Sequence, residues 1–278
     1  MTVSIIADSI NSDGQRLTTF HLTDISERVL LDCRTHRVIH GFDALDWQAE
    51  SWSVASSRLA GSGIDIIAET ARNPLLPVPD GKWYRASTDT KMGRGEHFDE
   101  RDSAEYTASW GPMAEFNATI AKQWRAHGMH PELYMALIRP FFRYRCVVSG
   151  TDWDGFFAQR AIPMDERHGP RMEVRALALD MQRAMQASTP IPVPWGGWHL
   201  PFVSEEEIGR EDVVELSVSR CARATVGREG EGEAGLASWL LRQDPKHLGP
   251  FEHAAVAVPG RHANLTGWRS VRCSMEVG

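Results

Sequence analysis

Hydrophobic and polar residues alternate at the start of the chain, which is the pattern of strands that bury one face. Two such segments, 4–10 and 17–22, flank an Asn-Ser-Asp-Gly turn at 11–14, and together they predict a β-hairpin. The period then changes to that of a helix. Asp24 is expected to be its N-cap, with Glu27 completing a capping box. The buried stripe of this helix is expected to comprise Ile25, Val29, Leu30 and Cys33, and to continue to His36.

Periodic and irregular segments follow one another along the rest of the chain. We predict loops at 41–62 and 73–101. Helices are predicted from Pro112 to a stop at Gly128, from Pro131, from a Thr151 N-cap to Arg160, from about 170, and at 233–244. Strands are predicted over 141–149 and at the end of the segment 246–258, which begins with a polar turn. The Pro- and Gly-rich segment 189–201 is the strongest candidate boundary, between a core at 1–189 and a C-terminal segment at 190–278 that packs into the same fold. Helices and strands without a βαβ rhythm or a Gly-rich nucleotide fingerprint indicate an α+β fold.

Composition and charge exclude several classes of protein. The 278 residues include 42% hydrophobic and 24% charged residues, which excludes disorder of the whole chain. The net charge of -7 disfavours a general nucleic-acid binder or a protein of anionic membrane surfaces. No apolar run approaches the roughly 20 residues that span a bilayer, and the first residues lack the features of a signal peptide. We therefore expect a cytoplasmic protein.

Cysteine and histidine spacing argues against disulfide and metal chemistry. The cysteines are Cys33, Cys146, Cys221 and Cys273. None of them belongs to a C-x-x-C pair, and no H-E-x-x-H motif is present. We expect reduced thiols that mostly serve packing, and no metal site.

Three places combine cations, imidazoles and small hydroxyl residues in a way that a hydrophobic core does not require. The first is the Arg-Thr-His-Arg helix end at 34–37 with the downstream Ser56-Ser57-Arg58, whose guanidinium groups and hydroxyls suit a phosphate. Arginines at a helix end also occur as plain compensation of the helix dipole. The second is Arg160, which ends an aromatic helix and suits an anionic or enolate-like oxygen, unless it is an ordinary surface arginine.

The third place is the segment 247–253, His-Leu-Gly-Pro-Phe-Glu-His. Gly249 lets a ligand approach the backbone, and Glu252 can accept hydrogen bonds from hydroxyl or amide groups. A plain polar turn is the alternative for this segment.

Four short motifs together resemble the flavin-dependent thymidylate synthases, the ThyX family. They are Ser-Val-Ser-Arg-Cys-Ala-Arg-Ala-Thr at 217–225, Gly-Pro-Phe-Glu-His at 249–253, the Thr-His-Arg helix end at 35–37 with Ser-Ser-Arg at 56–58, and Asp-Gly-Phe-Phe at 154–157 in the helix that ends at Arg160. The resemblance spans most of the chain as dispersed motifs and implies a ThyX-like α+β fold. It also implies FAD bound between the subunits of a homotetramer, NADPH and methylenetetrahydrofolate as cosubstrates, and methyl transfer to C5 of a uracil nucleotide.

The resemblance further implies roles for individual residues. Catalytic roles fall to Arg160, Ser56 and His247. Cofactor contacts fall at His36, Arg37, Ser149, Gly155, Thr225, Gly249 and Glu252. Nucleotide contacts fall at Ser56, Ser57, Arg58 and Arg160, with Arg139 as a substitute phosphate ligand. Arg160 is expected to polarise the pyrimidine ring.

The chain departs from the family pattern in its order and in one acidic position. The segments 217–225 and 249–253, which usually lie near the amino terminus of the family, here follow Arg160, so the motif order is circularly permuted. Val54 stands where the family has a glutamate, and the stretch before the Ser-Ser-Arg segment is longer. A less acidic pocket admits the ribose 2′-hydroxyl, so UMP and dUMP are both candidate substrates.

Several alternatives stay open at the level of sequence. The product could carry a hydroxymethyl group, the substrate could be another pyrimidine nucleotide, or the chain could bind flavin and nucleotide without catalysis. An α+β domain whose arginines only solvate its surface explains the composition but not the four motifs. We also expect no covalent enzyme–nucleotide adduct, because no cysteine offers a convincing accessible thiolate.

Overall fold

The computed structural model describes residues 1–44, 65–78, 81–86, 94–162, 172–224 and 234–276. Its strands are β1 Thr2–Asn11, β2 Arg16–Ile25, β3 Gly41–Ala44, β4 Tyr84–Ala86, β5 Arg94–His97, β6 Tyr144–Gly150, β7 Ile191–Val193, β8 Trp198–His199, β9 Ala255–His262 and β10 Leu265–Ser270. Its helices are α1 Glu27–Thr35, α2 Ile66–Arg72, α3 Glu100–Ala126, α4 Pro131–Ala136, α5 Trp153–Arg160, α6 Met172–Ala187, α7 Val213–Ala224, α8 Ala234–Leu241 and α9 Val271–Glu276. Short 3₁₀ turns occupy Arg139–Phe141, Glu205–Glu207 and Gly249–Glu252.

The largest sheet in the described part of the chain has the strand order β3-β6-β2-β1-β7. Its neighbours are antiparallel except for β7, which joins β1 in parallel. The predicted hairpin is confirmed, since β1 and β2 pair directly around their turn. Asn11 stabilises that turn by accepting hydrogen bonds through Oδ1 from the backbone N–H groups of Asp13 and Gln15. Gly14 has a φ of 78°, which glycine adopts at low cost.

Helix α1 begins later than the sequence pattern predicts. Asp24 is not its N-cap, because β2 is still paired with β6 beyond this residue and Asp24 has a φ of 55°. Ser26 is the N-cap, and its Oγ accepts a hydrogen bond from the backbone N–H of Val29 at 3.3 Å. Glu27 is therefore the first helical residue and cannot complete the predicted capping box. Val29 and Cys33 are buried, as the stripe predicts.

Helix α3 shows that the predicted start at Pro112 was wrong. The helix begins at Glu100, with Asp99 as N-cap, and Pro112 lies in its interior. The predicted loop at 73–101 is also wrong in part, because β4 and β5 form a two-stranded sheet there. Proline is frequent at the first turn of helices, and the polar residues before Pro112 carry little apolar period, so the pattern hid the first half of the helix. The stop at Gly128 is confirmed, since α3 ends at Ala126 and Gly128 has a φ of 77°.

Helix α5 follows directly from β6. Its N-cap is Asp152 and not Thr151, because Asp152 Oδ1 accepts the hydrogen bond from the backbone N–H of Gly155 at 3.1 Å. The Thr151 hydroxyl instead accepts from the backbone N–H of Thr266 in β10 at 3.2 Å. The predicted end at Arg160 is confirmed. In consequence, the short link between β6 and α5 lies close to β10.

The main hydrophobic core lies between the five-stranded sheet and the helices that cover it. It includes Phe20, Leu22, Cys146 and Val148 from the strands and Val29, Ala118, Phe156, Leu177 and Met181 from the helices. Trp153 packs edge-on against Phe20 with ring centroids 5.0 Å apart. Burial of these apolar side chains is the main force that holds α1, α5 and α6 on the sheet.

The segment 189–201 supplies strands as well as a connection. Strand β7 extends the large sheet, and β8 pairs with β9 in a second sheet of order β10-β9-β8. A second small core forms where Leu17 of the hairpin meets Trp268 of β10, and both residues are fully buried. Trp268 also donates its indole N–H to the backbone oxygen of Gln15 at 3.0 Å. The fold is α+β, as predicted, and none of the described helices is long and apolar enough to cross a bilayer.

The proline inside α3 gives a test of this helix. Pro112 lacks the N–H that would bond to the carbonyl of Ala108, and its ring crowds that carbonyl. Because the Pro112 side chain is exposed, P112A should raise the free energy of unfolding by about 1–3 kcal/mol without loss of packing. Urea denaturation measures the change. K122A, at an exposed position of the same helix, should change stability by less than about 0.5 kcal/mol, and a destabilised P112A would contradict a continuous α3.

Candidate functional site

Two groups of hydrogen-bonded side chains contain predicted site residues, one between α1 and α5 and one that includes Ser149 of β6. The helix-end cluster comprises Asp32, His36, Gln159 and Arg160. The imidazole chain comprises Ser9, His199, Thr19, Ser149 and His253. The first group is partly exposed and charged, whereas the second is buried and contains no formal charge while its imidazoles are neutral.

Arg160, the last residue of α5, is held by a carboxylate of α1. Its Nε donates to Asp32 Oδ2 at 2.8 Å and its Nη2 to Asp32 Oδ1 at 3.3 Å, which is a bidentate pair. The Arg160 and Asp32 side chains are 26% and 24% exposed, so both are within reach of a ligand. Nη1 takes no part in the pair and has no hydrogen-bond acceptor among the described residues. Sequence reasoning missed Asp32, although its place four residues before His36 puts the two on one helix face.

His36, at the C-cap of α1, bridges to α5. Its Nε2 lies 3.2 Å from Gln159 Oε1, and because that oxygen only accepts, Nε2 carries the proton. The ring also packs edge-on against Phe156 at 5.0 Å. Burial, and then the positive charge of Arg160, lower the pKa of His36 below its usual value. The neighbouring Arg37 is exposed and makes no hydrogen bond or ion pair with the residues that the structure describes.

Cys33 is next to this cluster but is not a nucleophile. Its side chain is fully buried, and burial, with the negative charge of Asp32, raises the pKa of the thiol to about 12. A thiol with this pKa stays protonated at neutral pH. Cys146 and Cys221 are also buried, and the described cysteines form no disulfide with one another.

The imidazole chain runs through the interior from β1 to the end of the 3₁₀ turn at 249–252. Ser9 Oγ lies 2.9 Å from His199 Nδ1, and His199 Nε2 lies 2.8 Å from Thr19 Oγ1. Thr19 Oγ1 lies 2.6 Å from Ser149 Oγ, which lies 2.8 Å from His253 Nδ1. Four consecutive hydrogen bonds therefore join residues from five separate parts of the chain.

Both imidazoles of this chain are neutral. Burial lowers the pKa of His199 to about 3, against the opposing charge of Asp8. Burial, and then the charges of His40 and His199, lower the pKa of His253 to about 3. His253 Nε2 is buried and has no hydrogen-bond partner among the described residues. An unpaired buried polar group lowers the free energy of unfolding by about 1–3 kcal/mol. His253 Nε2 is therefore unusual among the polar atoms of the imidazole chain.

The Gly-Pro-Phe-Glu turn leads directly into His253. Glu252 forms an ion pair with Arg272 of α9, which fixes the carboxylate beside the turn. Gly41 of β3 packs closely here, because a Cβ at that position would lie 2.8 Å from His253 Nδ1. Gly249 and His247 are partly exposed at the start of the turn. Of these predicted residues, Glu252 directly precedes His253 at one end of the imidazole chain, whereas Gly249 begins the turn and His247 lies just before it.

The other predicted residues have different positions. Gly155 lies in the first turn of α5, where a Cβ would come within 2.8 Å of the capping carboxylate of Asp152. Arg139 lies in the 3₁₀ turn that precedes β6, whereas Ser149 lies near the other end of that strand. The part of β6 from Tyr144 to Ser149 spans about 17 Å. The structure therefore does not bring Arg139 to the imidazole chain. The predicted residues outside the described part of the chain are Ser56, Ser57, Arg58 and Thr225, and Val54 lies there too.

Two surface cavities formed by described residues lie away from both groups. One of about 740 Å³ is lined by residues of the β5–α3 connection, including His97 and Phe98. Another, of about 200 Å³, is lined by residues that include Asp24, Arg143 and Glu173. Neither is lined by the helix-end cluster or the imidazole chain. In the part of the chain that the structure describes, no three His, Cys, Asp or Glu side chains group as metal ligands.

Comparison with known proteins adds no family to this picture. No model of a known protein family matches the chain, and no curated protein is significantly similar to it. The ThyX resemblance therefore stays a prediction that depends on the short motifs.

The helix-end cluster predicts pKa shifts of opposite sign at His36. R160Q removes a positive charge beside the ring and should raise the pKa of His36, whereas D32N should lower it, because Asp32 favours the protonated ring. Titration of the His36 ring protons by NMR measures both shifts. R183Q, at an exposed arginine of α6, is the matched control and should leave this pKa unchanged. Shifts of the same sign in R160Q and D32N would contradict the described pairing.

The buried histidines predict a loss of stability in acid. Their pKa values of about 3 in the folded state lie below the ordinary 6.5, so the unfolded chain binds protons first as pH falls from 6.5 towards 3. Stability from the neutral rings is present above that window and is lost through it, at about 1.4 kcal/mol per pH unit for each ring.

Replacement of one ring tests this slope. H253N keeps a hydrogen-bonding group facing Ser149 and removes one titrating ring, so the free energy of unfolding should fall less steeply between about pH 6 and pH 4. Urea denaturation across that range measures the slope. H127N, at an exposed histidine, should keep the wild-type slope. An unchanged slope in H253N would show that His253 already titrates normally.

Proposed function

We propose that this protein is an FAD-dependent C5-methylase of a uracil nucleotide, UMP or dUMP, which uses methylenetetrahydrofolate and NADPH. The observation that carries the proposal is the convergence of motifs that lie far apart in sequence. Arg160 and Gln159 at the end of α5 bond to Asp32 and His36 of α1. Ser149, directly before α5, bonds to His253 of the Gly-Pro-Phe-Glu-His segment. Isolated surface arginines and a plain polar turn do not require these contacts.

The residues at the two groups fit a flavin dinucleotide. The free guanidinium of Arg37 suits a pyrophosphate, and the neutral ring of His36 beside it suits a polar atom of the cofactor. At the other end, Gly249 has no side chain to block a ring system, and the unpaired His253 Nε2 offers a buried polar contact. We propose that FAD is held by His36, Arg37, Ser149, Gly155, Thr225, Gly249 and Glu252. FAD, when bound, supplies the hydride chemistry that no protein side chain provides.

Arg160 is the proposed electrostatic catalyst. Its Nε and Nη2 are fixed by Asp32, which orients the guanidinium plane and leaves Nη1 for an oxygen of the pyrimidine. A positive group at that oxygen stabilises the charge that develops when C5 becomes a nucleophile. Asp32 acts through Arg160 and is a positioning residue. Ser56, Ser57 and Arg58 are proposed to bind the phosphate, and Ser56 and His247 complete the proposed catalytic residues.

Activation of the pyrimidine is proposed to proceed without a covalent bond to the enzyme. The Cys33 thiol is protonated, with its pKa raised to about 12 by burial, although the positive charge of Arg160 opposes that rise. Cys146 lies within the core of the large sheet. Neither of these thiols is available to attack C6 of the ring.

A second candidate is a protein that binds flavin and nucleotide without turnover. The bidentate Asp32–Arg160 pair favours it, because a carboxylate at 2.8 Å neutralises part of the charge that catalysis would need. Transfer that stops at a hydroxymethyl group, or that uses another pyrimidine, is a closer variant of the first proposal. Product mass separates these possibilities.

The deciding experiment is incubation of the protein with FAD, NADPH, methylenetetrahydrofolate and either UMP or dUMP. We expect a methyl mass gain on at least one nucleotide. R160Q should lower kcat by about 100-fold, the loss typical of a missing electrostatic donor, while R183Q should keep wild-type activity. FAD binding with no NADPH oxidation and no mass gain would favour the binding protein.

The proposal includes a homotetramer with FAD at the subunit interfaces. Phe116 and Met113 on α3 are 66% and 48% exposed, and such apolar side chains in one patch are typical of contact surfaces. Leu31, 49% exposed, adds apolar surface beside Asp32 of the helix-end cluster. Sedimentation should give a tetramer, and F116E should dissociate it and weaken FAD binding. A fully active monomer would contradict shared sites.

A further inference from the structure

The imidazole chain leaves very few arrangements for its protons. Each hydroxyl has one proton, and each neutral imidazole has one protonated and one unprotonated nitrogen. Thr19 and Ser149 are 2.6 Å apart, so one of them must donate to the other. Once that donor is chosen, each neighbouring imidazole can be paired at both nitrogens only if every other hydrogen bond is donated in the same direction along the chain.

In the first arrangement, Ser9 donates to His199 Nδ1, His199 Nε2–H to Thr19, Thr19 to Ser149, and Ser149 to His253 Nδ1. The one proton left without an acceptor is then on His253 Nε2. In the reverse arrangement, the Ser9 hydroxyl proton has no acceptor among the described residues, and His253 Nε2 is in addition an unpaired acceptor. The first arrangement leaves fewer buried groups unpaired and is therefore favoured.

We propose that the chain of Ser9, His199, Thr19 and Ser149 holds His253 as the tautomer protonated on Nε2, so that His253 is a buried hydrogen-bond donor for a carbonyl oxygen or unprotonated ring nitrogen of a bound heteroaromatic ligand. Ser9, His199 and Thr19 are positioning residues in this assignment. The identity of the ligand ring rests on the proposed function, whereas the direction of the chain does not. A nitrogen that carries a proton cannot ligate a metal ion, so this assignment makes His253 a donor and not a ligand for zinc.

The surroundings of His253 support an acceptor that comes with a ligand. Gly41 packs against the Nδ1 side of the ring, and the Nε2 of His40, whose charge acts on His253, lies 3.1 Å from the Ser270 hydroxyl. The Glu252 carboxylate is committed to Arg272. These groups surround His253, yet none of the described residues accepts a hydrogen bond from its Nε2.

The direction of the chain is tested by NMR of the full-length protein with ¹⁵N-labelled histidine. Long-range ¹⁵N–¹H correlations identify which nitrogen of each ring is protonated, and H253N assigns the His253 signals. We expect wild-type His253 to be protonated on Nε2. S9A removes the first donor, four hydrogen bonds away, and leaves both directions with one unpaired donor and one unpaired acceptor. The preference should then be lost, and both tautomers of His253 should be populated.

A matched variant separates this effect from a general loss of packing. Ser217 is also fully buried and donates its hydroxyl to the backbone oxygen of Pro201 at 2.8 Å, outside the chain. S217A should leave His253 protonated on Nε2. Wild-type His253 protonated on Nδ1, or a tautomer of His253 that S9A does not change, would overturn the assigned direction.

The ligand is tested by adding FAD alone, UMP alone and dUMP alone to the same labelled protein. We expect the His253 Nε2–H resonance to move with one of these, and that ligand is the source of the acceptor. H253N, which keeps a group facing Ser149 but lacks the Nε2 donor, should bind that ligand about tenfold more weakly. Binding seen by equilibrium dialysis without movement of the resonance in any arm overturns the donor role. Absence of any binding overturns the proposed function, while the tautomer comparison still decides the direction of the chain.

Discussion

Strand β6 forms hydrogen bonds to β2 on one side and to β3 on the other, and this pairing decides which residues meet at the candidate site. Ser149 lies opposite Thr19 in the β2 register and opposite Gly41 in the β3 register. Directly opposite side chains in a sheet are close enough for their hydroxyls to bond, which here gives the contact at the middle of the imidazole chain. A shift of β6 by one residue would turn Ser149 to the other face and break that contact.

The helix-end cluster contains charged side chains that are partly exposed, whereas the imidazole chain is buried and neutral. The Asp32–Arg160 pair joins two charged side chains, and about a quarter of each still contacts solvent. The imidazole chain is buried, so its histidines avoid the cost of charge by staying neutral and by bonding to hydroxyls. A buried polar network is favourable when its members are hydrogen-bonded, and an unpaired member is costly. The unpaired His253 Nε2 therefore indicates a position where a further hydrogen-bond partner would stabilise the protein.

The local sequence pattern predicted secondary structure correctly where a few neighbouring residues determine the element. The hairpin, the strand at β6, the end of α5 at Arg160 and the stop of α3 at Gly128 were predicted because alternation, β-branched residues and glycine act within a few residues. Errors occurred at helix starts and in the two predicted loops at 41–62 and 73–101, where the structure has the strands β3, β4 and β5. Asp24 and Thr151 are both reasonable N-caps by residue type, but β2 pairing continues past Asp24 and the Thr151 hydroxyl is taken by β10. Competition from tertiary hydrogen bonds moved both caps by one or two residues.

The sequence by itself determined the α+β class, the apolar faces of the main helices and the residue types that suit a nucleotide or flavin, because these follow from periodicity and side-chain chemistry. It also placed Arg160 at a helix end and Ser149 in a strand. Only the tertiary structure decided that Asp32 holds Arg160 and that Ser9, Thr19 and His199 act with His253. These partners are up to 190 positions apart, and no local period connects them. Contacts of that kind depend on strand order and on the need to pair buried polar groups, which exist only once the chain is folded.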